Sequence, residues 1–63
     1  MRDFEKIGFA LKEKQIPFHE GFGFYETKAA NTLDAYMESF FLIFFFDENT
    51  DEYLGFQTVK ATH

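Results

Sequence analysis

The sequence predicts an α+β fold: a small antiparallel sheet of about three strands with one or two helices packed on one face. The expected order is helix, strand, short helix, β-hairpin. Three observations carry this. Phe4, Ile7 and Leu11 recur at steps of three and four, the period of a helix with one buried stripe. From Phe18 to Thr27 the residues alternate, with Phe18, Phe22 and Phe24 at even positions and Gly21 and Gly23 at odd ones, the period of a strand. Finally, Phe40 to Phe46 is an unbroken apolar run that meets Asp47-Glu48-Asn49-Thr50-Asp51-Glu52 directly, and Tyr53-Leu54-Gly55-Phe56 then resumes the apolar character. Two apolar stretches around a short polar one read as a hairpin.

Taken in order, Asp3 is the expected cap of the first helix, and Lys12 and Lys14 near its end suit the macrodipole. Gly8 lies on the apolar stripe, where it costs about 1 kcal/mol relative to Ala and is tolerated if the helix packs closely on a sheet. Ile16 precedes Pro17 and is biased out of the helical region, so the helix should end by about Gln15. In the strand that follows, the glycines permit a bulge or a close backbone approach, and Gly21 is the expected irregular point. Lys28 to Thr32 holds no apolar residue larger than alanine, and Asn31 or Thr32 can cap a short helix carrying Leu33, Tyr36 and Met37.

The next stretch has two readings. Leu33, Tyr36, Met37, Phe40, Phe41 and Phe44 fit helical spacing, so one long helix could run into the Phe stretch. Aromatic and β-branched enrichment over 40–46, and the short step to residues 53–59, favour a break and a hairpin closed by the acidic turn. A strand apolar on both faces must then lie inside its sheet or be covered on both sides.

Sixty-three residues allow a single domain, spanning 1–63, near the size where stability becomes marginal. There is no cysteine for a disulfide and no Cys/His spacing for a structural zinc. Eleven Phe and three Tyr must supply the core, each ring contributing roughly 1.5–3 kcal/mol when fully buried. So small a monomer can hardly hide them all, which points to a homodimer seam or a partner-binding surface. Seven apolar residues are too few to cross a bilayer, which takes about 20 in a helix. The absence of cysteine and of an apolar leader stretch after Arg2 predicts a cytoplasmic protein.

The net charge is −5, and the excess sits in the second part of the chain: residues 1–19 carry four bases and three acids, residues 20–63 two bases and eight acids. Such a surface repels phosphate, so direct nucleic-acid binding is not expected. Imitation of phosphate is. Glu38 before the Phe run and Asp47 and Glu48 after it also serve as charges that keep an aggregation-prone strand from pairing with copies of itself. The functional reading is that Glu20, Glu26, Glu48, Asp51 and Glu52 form an anionic array for a basic, DNA-binding groove, with an apolar anchor for lasting affinity.

Catalytic chemistry finds no candidates. His19 and Glu20 are adjacent on a strand and point to opposite faces, so His19 reads as a surface or edge histidine. Ser39 is the single serine, and there is no glycine-rich phosphate loop. Asp47, Asn49 and Asp51 match the first three ligand positions of a calcium loop, but Glu52 stands where that loop needs glycine and Thr58 where it needs a bidentate glutamate. The expectation is a non-enzymatic protein without metal or cofactor.

Three local features also carry a likeness. Lys14-Gln15 leads into a strand bearing Glu20, Glu38-Ser39 opens the next strand, and Asp47 to Glu52 forms an acidic hairpin turn. In this order, over roughly residues 13–58, the chain resembles the uracil-DNA glycosylase inhibitor proteins of bacteriophages. It departs from them in His19 and Gly21 beside the glutamate, in few charges over residues 28–31, and in lacking the last two strands. The resemblance implies that Glu20 enters the enzyme's DNA groove. It further implies that Leu33, Tyr36 and Met37 on a second helix, with Phe41, Ile43 and Phe56 from the sheet, form a cavity for a protruding apolar side chain of the enzyme. The expected function is that of a small phage-type inhibitor that blocks a nucleic-acid enzyme by DNA mimicry, with uracil-DNA glycosylase the preferred target. A CRISPR or restriction nuclease is the alternative target. A homodimeric structural or adaptor module is the alternative class.

Overall fold

The computed structural model describes residues 2–60 and consists of one helix followed by a four-stranded antiparallel meander. The helix α1 spans Asp3–Glu13, and the strands are β1 Phe18–Tyr25, β2 Lys28–Tyr36, β3 Phe40–Asp47 and β4 Tyr53–Lys60. Their order in the sheet is β1-β2-β3-β4. Strand β3, apolar from Phe40 to Phe46, is an inner strand, as a strand apolar on both faces requires. None of the described helices is long and apolar enough to cross a membrane.

The expected short helix over 32–37 does not form. Residues 28–36 are β2, paired with β1 without a break from Phe18↔Ala35 to Tyr25↔Lys28. The β1–β2 connection is a two-residue turn at Glu26-Thr27, in which Glu26 holds φ at 57°. Tight hairpins need such left-handed residues, and Gly or Asn is the usual sign of one; a glutamate gives no such signal. Nor does β1 bulge at Gly21, which pairs in register with Thr32. A Cβ at Gly21 would lie 2.8 Å from Thr32 Oγ1, so the glycine there answers a close approach. The irregularity lies instead in β4, where Phe45↔Gly55 is followed by Phe46↔Tyr53 and Leu54 is the extra residue of a bulge.

The helix begins one residue beyond its cap. Asp3 is its first residue rather than the cap, and its carboxylate accepts the Tyr53 N–H at 3.0 Å, which ties the helix to β4. Glu5 caps the end by accepting the Arg2 N–H at 3.2 Å. At the other end Gln15 takes a left-handed φ of 58°, and the Ile16 N–H donates to the Leu11 carbonyl at 2.9 Å, closing the helix as a glycine would.

Register divides the sheet into two faces. On the helix face lie Leu33, Ala35 and Phe46, each at most 1% exposed, with Leu11 of α1 above them. Phe4 meets Phe46 edge to face at 5.1 Å. A Cβ on Gly8 would stand 3.9 Å from Leu33, an ordinary contact. The other face has no helix on it. Its lower half is filled by Tyr25, which crosses β2, packs on Phe45 at 5.3 Å and ends against Gly55 of β4. Beneath that crossing Ala30 and Phe45 are buried without any second layer. The smallest extent of the fold, 14 Å, is that of one helix on one sheet.

Candidate functional site

A meander places alternate turns at the same end of the sheet. The β1–β2 turn with Glu26 and the β3–β4 turn with Glu48, Asp51 and Glu52 therefore lie side by side, joined by the Lys28–Asp47 ion pair at 3.3 Å. The first turn of α1 brings Asp3 and Glu5 to the same end through the Asp3–Tyr53 hydrogen bond and the Arg2–Asp51 ion pair at 3.3 Å. Seven of the eleven acidic residues thus gather at one end. Lys12 and Lys14, at the C-terminal end of α1, and Lys60, at the end of β4, mark the opposite one.

The acidic turn is built, not loose. Asp47 Oδ1 accepts the N–H groups of Asn49 at 2.8 Å and Thr50 at 3.1 Å. The Asp47 N–H donates to the Glu52 carbonyl, and Thr50 Oγ1 accepts the Glu52 N–H. Asp51 sits at φ 61°. The two backbone donors, and after them Lys28, hold the Asp47 carboxyl below its ordinary range. With Asp47 and Asp51 paired, Glu5, Glu26, Glu48 and Glu52 are the exposed carboxylates at this end that have no ion-pair partner among the described residues.

Glu20 lies apart from this end. It stands exposed on the helix face of β1, at the rim of a groove of about 320 Å³ between α1 and β1 that Phe4, Gly8, Phe9, Phe18 and Leu33 help to line. The groove is an apolar recess beside a carboxylate, as the expected anchor site requires, but with different walls. Of the six residues expected to form the cavity, Leu33 alone contributes to it. Tyr36, Phe41 and Ile43 face the opposite side of the sheet, Met37 lies in the β2–β3 turn, and Phe56 is exposed on the helix face of β4. The grouping fails because it rested on a second helix, and strand geometry sends Leu33 and Tyr36 to opposite faces.

One cluster escaped the sequence reading. His19 and Asp34 are direct cross-strand partners on the open face. His19 Nε2 lies 3.2 Å from Asp34 Oδ2, and the Tyr36 hydroxyl bonds His19 Nδ1. They border a recess of about 210 Å³ with Phe41, Ile43 and Val59. Each ring nitrogen thus has a group of the cluster beside it. Asp34 Oδ1 is buried and has no hydrogen-bond partner among the described residues. The His19–Asp34 register would have revealed the group, once residues 28–36 were known to be a strand.

Comparison with known protein families, with curated proteins and with solved structures finds no match to this chain.

Proposed function

We propose that the protein is a non-enzymatic inhibitor that sets its acidic end on the cationic DNA-binding groove of a nucleic-acid enzyme and so excludes the substrate, with uracil-DNA glycosylase the preferred target. The observation that carries this reading is the gathering of carboxylates from two turns and a helix start at one end of the sheet. A single-sign end of this kind steers encounter with a groove of opposite charge. The turn's internal hydrogen bonds fix Glu48 and Glu52 in advance, which lowers the ordering cost of docking. The groove beside Glu20 offers the apolar contact that charge alone does not provide.

Uracil excision by the purified enzyme, measured with the protein at stoichiometric and at excess concentration, tests this. Excision should stop near equivalence. Joint reversal of Glu26, Glu48 and Glu52 to lysine should restore it, whereas Glu38→Lys at the opposite end should not. Unchanged excision at large excess removes this target; the same series run on DNA-cleaving defence nucleases then tests the alternative one.

A further inference from the structure

The two edges of the sheet are built differently. Strand β4 carries the usual guards against edge pairing, a bulge at Leu54 and a terminal lysine, Lys60. Strand β1 has none of them: over Phe18–Tyr25 it contains no proline, lysine or arginine, and it pairs with β2 without a break in register. The pair Tyr25↔Lys28 closes a two-residue turn and so exchanges its hydrogen bonds inward. By alternation the N–H and C=O groups of Glu20, Phe22 and Phe24 point outward from the sheet. Two of them carry the most exposed large apolar side chains among the described residues: Phe22 is 61% and Phe24 64% exposed, in edge-to-face contact with each other at 6.2 Å. Phe9, 57% exposed, projects from the helix on the same face.

From this we infer that β1 is a self-association edge, on which a second copy of this chain adds its own β1 antiparallel about a two-fold axis at Phe22, making one eight-stranded sheet. The charge distribution favours this occupant. Lys12 and Lys14 lie just before the start of β1 and Glu26 just after its end. An antiparallel copy therefore brings each Glu26 to the other copy's lysines and sends the two acidic ends to opposite extremes of the dimer. A parallel copy would set like charges together. With the axis at Phe22, Glu20 stands opposite the partner's Phe24 and the two Glu20 carboxylates are kept apart. Phe22 and Phe24 of both copies form one aromatic cluster on the helix face, where cross-strand aromatic pairs are favourable. The pairing leaves Glu48 and Glu52 uncovered and does not depend on any enzyme target.

Sedimentation equilibrium of the full chain from low to high micromolar concentration tests it, together with amide hydrogen exchange. The expected mass is about twice the 7.5 kDa of one chain, with the Glu20, Phe22 and Phe24 amides protected in the dimer. Phe22→Lys, a change at an exposed position, should give the single-chain mass with an unchanged circular dichroism spectrum and should lose that protection. Lys14→Glu should weaken association and Glu26→Lys in the same chain should restore it. A single-chain mass across the whole range, or protection of the β4 edge in place of β1, overturns the inference.

Discussion

The hydroxyl of Tyr25 on β1 rests against Gly55 on β4, with β2 and β3 between them in the sheet order, so one side chain ties the two edge strands together across the open face. A Cβ built on Gly55 would lie 2.5 Å from Tyr25 Oη and 2.7 Å from Cζ, and Gly55 also holds φ at 156°. Gly55→Ala therefore meets both a steric block and a backbone region that alanine rarely adopts. A cost of about 1–3 kcal/mol is expected, measured as a lowered urea midpoint. At Gly23 a Cβ meets nothing within 4 Å, and Gly23→Ala should stay within about 0.5 kcal/mol of the parent. Tyr25→Ala combined with Gly55→Ala should cost less than the two single changes added together. Strict additivity would show that the contact does not hold the strands.

Gly8 is the opposite case. It sits inside α1 with a negative φ, and a methyl there would find Leu33 at 3.9 Å, an ordinary distance. Gly8→Ala should raise stability by about 0.5–1 kcal/mol, through the smaller entropy of the unfolded chain and the better helix propensity. A loss on thermal unfolding would mean that α1 packs more closely on β2 than the structure has it.

These two glycines also mark what the sequence made legible. Helix α1 was readable because Phe4, Ile7 and Leu11 repeat at its period. Strand β1 was readable from its alternation, and the last hairpin from an apolar run meeting a charged turn. Strand β2 was not, because its helix-face positions hold small residues, Ala29, Asn31 and Ala35, around a single Leu33. Alanine and leucine favour a helix when read alone. In the fold those small side chains leave room for α1, and the turn that starts β2 depends on a glutamate in a glycine-like conformation. The candidate site followed the same division. The charges of residues 47–52 were evident, but the adjacency of Glu26 to them, and of His19 to Asp34, exists only once β2 is a strand.

Asp47 gives the acidic turn a defined pH response. Its carboxyl is held below the ordinary value by the Asn49 and Thr50 amides and then by Lys28. Above the ordinary value of about 3.9 the group is charged in both folded and unfolded chains, and its contribution to stability is complete. As pH falls, the unfolded chain takes up the proton first, so that contribution is lost down through the lowered folded value. A ¹³C carboxyl titration should give Asp47 a midpoint below the ordinary aspartate value. Asp47→Asn should flatten the fall in stability below about pH 4. An unchanged acid limb in this variant would separate the turn from the stability of the sheet.

The core allows a prediction about scale. Phe46 has no exposed surface and receives the edge of Phe4. Phe46→Ala should cost about 3–5 kcal/mol. At roughly 0.05–0.15 kcal/mol per residue, a 63-residue domain has only about 3–9 kcal/mol in total, so the variant should lose at least about a third of its stability, read as a lowered urea midpoint. Phe56→Ala, at a position 55% exposed, should remain folded. A midpoint loss for Phe46→Ala no larger than that for Phe56→Ala would place the core elsewhere than beneath α1.

The cluster of His19, Asp34 and Tyr36 is where a polar deletion should reveal coupling. Asp34 Oδ1 already lacks a partner among the described residues, and Oδ2 lies 3.2 Å from His19 Nε2. His19→Ala leaves the carboxylate with neither contact at a side chain that is only 25% exposed. Leaving such a group unpaired costs about 1–3 kcal/mol, and the half-exposed imidazole puts the expectation near the lower value. Asp34→Ala removes the group that would be stranded, so the double variant should be no less stable than His19→Ala alone. The same cycle run with Tyr36→Phe should show a smaller term, since the phenol lies at the exposed end of the chain of bonds, where water can replace it. If the His19 and Asp34 losses simply add, the two side chains are independently solvated and this cross-strand pair contributes nothing to holding β1 on β2.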